Sequence, residues 1–518
     1  MPETDEIHTK FMGKASVSVM MEKDLEQLDY KGILKYFAEI SRIPRGSGNE
    51  GEISDFLVSF AKEHNLEYTQ DAANNVVIIK EASKGYEDEP AILLQGHMDM
   101  VCEKRKDSTH DFLKDEIKLV VDGDFIHADG TTLGADNGIA VAYIMALFTD
   151  DKLQHPRLEA VITTDEEVGM HGAHALDCSS LKAKYMINLD SEEEGYLLTS
   201  CAGGLRTTCS LPVKRVEAYG KRVRISLGGL KGGHSGIDVI YNRTNANKLL
   251  GRLLYDLRET QPYGVISAQG GFKDNVIPRE ATVELLLTVD QEEENKDVEQ
   301  NLSEAYTGIC AKVAELMKEY QKELSASEPE LSFTMEDLGN AESEPLHPVS
   351  FEKILFLLMN IPNGIQVMSS NIEGLVESSL NLGIFHIGEE TAEFTDSVRS
   401  AYGSYKYHMS NQLNYLVSFL GGEYEVRADY PAWEYKKDSA LREHLKRIYT
   451  EMYGKEMKIE AIHAGLECGI IYEKMPGIDI VSIGPDLSRV HTIDENMSIS
   501  STIRVYQYLE RLLEEKVR

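Results

Sequence analysis

Apolar runs of strand length in this chain end, one after another, in histidine or acid. Residues 91–94 lead into Gln95-Gly96-His97-Met98-Asp99, residues 158–163 into Thr164-Asp165-Glu166-Glu167, and residues 185–189 into Asp190. Short runs rich in Val, Ile and Leu mark buried strands in an α/β sheet covered on both faces. In such sheets the residues just beyond the carboxyl ends of the strands collect along one edge. Asp136, in Leu133-Gly134-Ala135-Asp136-Asn137-Gly138, opens a helix-like stretch at 138–148. His491 follows the strand-like Val481-Ser482-Ile483 and the turn Gly484-Pro485-Asp486. This pattern constrains the chain to a fold that gathers His97, Asp136, Glu167, Asp190 and His491 at one sheet edge.

Taken singly, each of these side chains reads equally well as solvated surface. Together, two imidazoles and three carboxylates suffice for a pair of Zn²⁺-like ions sharing one carboxylate, which activates water for hydrolysis. His97 and Asp99 fall on the same side of an extended segment. One can ligate a metal while the other accepts the imidazole's second N–H, setting the tautomer. The small neighbours Gly134 and Gly138 let the backbone at Asp136 approach an ion closely. A helix N-cap at Asp136 or Asn137 is an equally good local reading. Glu166 and Glu167, adjacent in extended backbone, face opposite ways. One suits a metal and the other the attacking water and leaving amine; spacing leaves open which. His463 and Glu467, four apart on a helix predicted over 461–474, share a face. They compete with His491 as ligands, and Glu467 also suits a substrate amine.

At 518 residues the chain exceeds one core. Helical spacing covers 32–41 and 50–64, and a further strand is expected at 75–79. Past Gly203-Gly204 the texture changes to polar-alternating strands at 223–227, 282–289, 374–387 and 392–401, with helices at 245–258 and 301–323. The acidic stretch 322–347 reads as a surface loop. After 411 the α/β texture returns, with a strand at 479–483 and a helix at 502–515. The expected organisation is an N-terminal extension (1–27) and a discontinuous α/β domain (28–204 and 411–518), with an α+β domain (205–410) inserted.

Lys and Arg number 53 against 87 Asp and Glu, a net charge of −34. That excludes nucleic acid and anionic membranes as partners. Six cysteines (Cys102, Cys178, Cys201, Cys209, Cys310 and Cys468) form no Cys-x-x-Cys pair. This fits reduced thiols of a cytoplasmic protein. No signal-peptide core or membrane span is read, so the sequons at Asn242 and Asn301 are taken as chance.

The motifs resemble the M20 metallopeptidases, and within them the aminoacyl-histidine dipeptidase branch. The matching segments are 95–102, 133–140, 163–172, 189–195, Gly232-Gly233-His234-Ser235-Gly236, Asn275-Val276-Ile277-Pro278-Arg279, Val376-Glu377-Ser378-Ser379-Leu380-Asn381-Leu382-Gly383 and His463-Ala464-Gly465-Leu466-Glu467-Cys468-Gly469. The resemblance implies a zinc-peptidase-like catalytic domain, its mixed sheet flanked by helices, and an inserted α+β lid domain with an antiparallel sheet. It implies one zinc on His97 and Asp190, another on Glu167 and His491, and Asp136 bridging them. Asp99 would orient His97, Glu166 would be the general acid/base, and His234 would steady the oxyanion after domain closure. Arg399 would meet the substrate's C-terminal carboxylate, with Asn275 and Glu467 also toward substrate. Two divalent ions, Zn²⁺ or else Mn²⁺ or Co²⁺, and a small peptide partner are implied, and a homodimer is compatible. The implied reaction is hydrolysis of Xaa-His dipeptides such as β-alanyl-histidine. Alternatives are a tripeptidase or N-acyl-amino-acid deacylase of the same family, or a non-catalytic metal-bound scaffold. The presence of both Asp99 and Glu166 argues against the scaffold.

Overall fold

A computed structural model describes residues 27–258, 260–289 and 298–517, so the expected extension lies outside it but for residue 27. The described chain forms two compact units. The first holds the residues up to Thr199, Lys436–Glu460 and those from Lys474 onward; the second holds Ser200–Tyr435 and Ala461–Glu473.

The first unit is built on a mixed sheet of eight strands. Their order is Glu67–Gln70, Val76–Lys80, Leu158–Thr163, Ile92–His97, Tyr185–Asn188, Asp479–Ser482, Tyr196–Cys201 and Lys458–Ile462. The central neighbours run parallel. Their side chains are buried almost throughout, as helices on both faces require. The helix Ala135–Thr149 is apolar all round and buried from Asn137 to Phe148, so it lies inside the core rather than on it. Ile33–Ser41, Gly51–Glu63 and Ile499–Glu514 each bury one apolar stripe. Register does the rest. His97 pairs with Thr163, and Gln95 with Asn188. The residues that follow these strands therefore leave the sheet at one level.

The second unit carries a nine-stranded antiparallel sheet. Helices Ala246–Leu257, Val298–Glu323, Pro348–Asn360 and Gly403–Phe419 contribute its buried apolar side chains. Three sequence expectations are corrected here. The stretch read as a loop at 322–347 contains the edge strand Ser332–Ser343, paired with Ala218–Gly228; exposed acids on an edge strand do not oppose pairing. The chain returns to the first unit at Lys436, not after 410, because Glu423–Tyr430 adds to this sheet beside Gly203–Pro212. The helix expected over 461–474 begins only at Glu467, after the strand Lys458–Ile462. His463 and Glu467 therefore do not share a helix face. No described helix is long and apolar enough to cross a membrane, and all six cysteines are free thiols.

Asp396 is an anomaly in the second core. It sits fully buried between Phe394 and Val398 on strand Thr391–Ser400. Neither carboxylate oxygen has a hydrogen-bond partner among the described residues. Burial, countered only by Lys248, pushes its pKa up to about 8. A carboxyl raised from 3.8 to about 8 lowers stability progressively as pH climbs between those values, and the full loss is present above the upper one. Asp396→Asn is expected to raise the melting temperature by roughly 2–8 °C at pH 9. The gain should shrink toward acid pH, which differential scanning calorimetry at several pH values reads directly.

Candidate metal centre

His97 ends the central strand and is buried. Its Nδ1 lies 3.1 Å from Asp99 Oδ1. Its Nε2 lies 3.2 Å from Asp136 Oδ1 and 3.6 Å from Asp190 Oδ1. The other oxygen of Asp136, Oδ2, lies 3.0 Å from His491 Nε2, which is itself 3.0 Å from Glu167 Oε1. Two mixed nitrogen and oxygen donor sets, His97 with Asp190 and His491 with Glu167, thus share the Asp136 carboxylate. Ligand atoms of His97, Asp136 and Glu167 all fall within 4.8 Å of one another. This donor chemistry fits borderline divalent ions such as Zn²⁺.

The electrostatics describe a pocket that craves cations. Burial opposes a proton on His97, yet Asp190, Asp136 and Asp99 hold its pKa well above the usual value. Hydrogen bonds to Asp136 and Glu167 push His491 up to about 11. Burial would raise Asp136, but the two imidazoles keep it well below the carboxylate range. Asp190, desolvated and beside other acids, rises to about 6. Local desolvation, then the charges of Asp136 and Asp190, raise Glu192 to about 7.

The scaffold beneath these side chains is largely backbone. Asp99 Oδ1 accepts the Glu166 N–H at 3.1 Å; Oδ2 accepts the Glu167 N–H at 3.3 Å and the Ser47 hydroxyl at 2.8 Å. One carboxylate thereby ties three segments together. Asn137 Oδ1 accepts the His97 N–H, and its amide donates to Leu189 O. The Asp136–Asn137 peptide is cis, and Gly134, not Asp136 or Asn137, takes the helix N-cap position. Two supporting residues escaped the sequence reading. Buried Glu495 accepts the N–H groups of Leu133, Gly134, Ala135 and Asp136. Buried Arg45 donates to the carbonyls of Met98, Asp99 and Gly134. Gly134, at φ 71°, leaves room for that guanidinium; a Cβ there would come within 2.5 Å of Arg45 Nη2. Nothing local to Arg45 or Glu495 signals this, because their partners are main-chain groups.

His234, Asn275, Arg399 and Glu467 lie in the second unit. His234 Nδ1 accepts the N–H groups of Gly236 and Ile237, so its proton sits on Nε2. Burial, then Arg399, lowers its pKa and so disfavours the charged ring. Asn275 O accepts the Ser235 N–H. Arg399 donates from Nη1 to the Tyr430 hydroxyl at 3.0 Å. Glu467 is buried at the start of its helix. His463, the rival ligand, is bonded to Ser379, and the imidazole beside Asp136 and Glu167 is that of His491.

Residues 93–515 match a family described as peptidase family M20/M25/M40. The chain belongs to this family. It is a metallopeptidase, a hydrolase of peptide bonds. The cytosol non-specific dipeptidase of Escherichia coli K12 is 35% identical over 494 residues, spanning 95% of this chain and 99% of the relative. The crystal structure of aminoacylhistidine dipeptidase from Vibrio alginolyticus superposes with a TM-score of 0.84 at 33% identity, covering 95% of this M20 peptidase and 97% of that chain. The aminopeptidase PepT of Bacillus cereus shares the fold alone, at 15% identity and a TM-score of 0.53, covering 95% of this chain and all of the other.

Two outcomes are expected of this M20 centre. Only neutral imidazole ligates, so Zn²⁺ titrated into metal-free protein at neutral pH should release about one or two protons, and affinity should fall as pH is lowered, about tenfold per unit for each proton displaced. Calorimetry in buffers of different ionisation enthalpy measures this; loading indifferent to pH would contradict it. Glu495→Gln removes the charge that organises the Asp136 loop and should weaken metal binding about 10–100-fold, read by competition with a chromogenic chelator.

Proposed function

We propose that this peptidase cleaves dipeptides, with preference for Xaa-His types such as β-alanyl-histidine, using two divalent ions, most simply Zn²⁺. The observation that carries the two-ion reading is the Asp136 carboxylate, with one oxygen beside His97 and the other beside His491. His97 and Asp190 would hold one ion, Glu167 and His491 the other, and Asp136 both. The substrate class is supported by the likeness to the Escherichia coli and Vibrio alginolyticus dipeptidases. A cytoplasmic location is supported by the name of the former.

Bound divalent ions supply Lewis acidity, polarising a carbonyl and acidifying water. The chain's own groups do the rest. Glu166, whose backbone is pinned by Asp99, takes the proton of the attacking water and returns it to the leaving amine nitrogen. Asp99 holds the His97 ring with Nδ1 toward itself, leaving Nε2 for ligation. His234 presents its Nε2–H to the carbonyl oxygen as negative charge develops there. Arg399 meets the substrate's C-terminal carboxylate, for which a guanidinium is well suited.

Glu166→Ala is expected to keep both metals, by elemental analysis, while kcat falls by about 10²–10⁴-fold. Near-normal turnover in that variant would eliminate this assignment. Activity should vanish on chelation and return with Zn²⁺, Mn²⁺ or Co²⁺. A panel of Xaa-His dipeptides, other dipeptides, tripeptides and N-acyl amino acids, run on each metal form, tests the substrate class. Preference for a tripeptide or an N-acyl amino acid would replace the dipeptide reading.

A further inference from the structure

Ser379 stands directly across the ladder from Arg399 on neighbouring antiparallel strands, so their side chains share a face. Ser379 Oγ lies 2.7 Å from His463 Nε2. The Gly232–Gly236 loop packs on the same residue, since a Cβ at Gly236 would come within 2.6 Å of His463 O. Three polar atoms in this neighbourhood, Arg399 Nε, His463 Nδ1 and Ser235 Oγ, are buried with no hydrogen-bond partner among the described residues. Their side chains belong to residues only 8%, 7% and 1% exposed. An unpaired buried polar atom is costly, and each such group in a folded protein asks for an explanation. Unpaired donors on residues linked through Ser379 and the Gly236 contact, one of them on a guanidinium, suit an anion with more than one acceptor oxygen.

We infer that His463, backed by Ser379, is a specificity-determining residue that reads the substrate's C-terminal carboxylate jointly with Arg399. The inference rests on the peptide-hydrolysis reading above and adds a second recognition group to it. In the proposed arrangement the Ser379 hydroxyl donates to Nε2, which places the imidazole proton on Nδ1, the atom that lacks a partner. A neutral imidazole supplies an N–H beside the guanidinium without a second buried charge. Burial, then Arg399 and His234, push the His463 pKa down to about 3, so the ring stays neutral across the working range. Ser235 adds a hydroxyl donor. A peptide whose C-terminus is amidated cannot accept from all of these groups.

The test uses the Zn²⁺-loaded enzyme and one Xaa-His dipeptide as free acid and as C-terminal amide. His463→Gln keeps a group facing Ser379 but loses the Nδ1 donor; His463→Asn places an amide N–H near the Nδ1 position. For the acid, His463→Gln is expected to lower kcat/KM by roughly 10- to 100-fold, mainly through KM, with His463→Asn recovering part of the loss. For the amide the penalty should shrink to about twofold, since no carboxylate is left to read. Binding of a phosphinic dipeptide analogue, as acid and as amide, gives the same comparison without turnover. Equal penalties on acid and amide, or an unchanged Kd for the acid analogue, would overturn the inference. If the dipeptide is not cleaved by the wild type but the analogue shows the expected pattern, the dipeptide reading fails and the carboxylate recognition stands. Ser379→Ala, expected to give a smaller loss of the same acid-selective kind, decides the matter should a His463 variant prove unstable in thermal melts.

Discussion

Glu495 brings a carboxylate into the interior of the first unit, where four consecutive backbone N–H groups, Leu133 to Asp136, point at its two oxygens. A buried carboxylate is tolerated when its lone pairs are filled, and here they are filled by the loop that presents Asp136. Arg45 grips the opposite polarity of the same region through the carbonyls of Met98, Asp99 and Gly134. The two charges also favour each other across the loop. Removing either would leave the other as an uncompensated buried ion, a severe defect. The position of Asp136, and with it the division of donors into two sets, depends on this clamp.

Four histidines show how far environment decides the chemistry of one residue type. His97 and His491 are surrounded by carboxylates, which hold protons on them until a cation takes their place. In the second unit His463 is buried and His234 half-buried, and desolvation with Arg399 nearby shifts both toward the neutral form. The first pair offers lone pairs to metal once deprotonated. The second pair, in the proposed roles, offers N–H groups to negative charge. Neighbours alone thus drive the same imidazole toward its charged form in one unit and its neutral form in the other.

Much of the first unit was legible because one physical signal was repeated. An apolar run forces a strand into the sheet interior, and the first polar residues beyond it must emerge at the sheet edge. That located His97, Asp99, Glu166, Glu167 and Asp190 without any structure. Asp136 and His491 were harder, since both sit in loops whose path is set by distant contacts. Arg45 and Glu495 were illegible because main-chain amides and carbonyls, their partners, leave no trace in residue identity. In the second unit the edge strand Ser332–Ser343 was mistaken for a loop, its alternation diluted by acids that face solvent on both sides. The strand Glu423–Tyr430, mostly exposed, hid the true boundary for the same reason. His463 was placed on a helix face that does not exist, an error of element boundary and not of residue choice.

The order in which the chain leaves the ribosome gives Glu495 and His491 a further meaning. The strands and the loop that carry the other donors are made early, and these two residues emerge only after the whole second unit has been synthesised. Until then the Asp136 loop has no clamp and one donor set has no imidazole. A polypeptide that stops short of these residues therefore carries His97, Asp136, Glu167 and Asp190 but neither the Glu495 clamp nor the His491 imidazole.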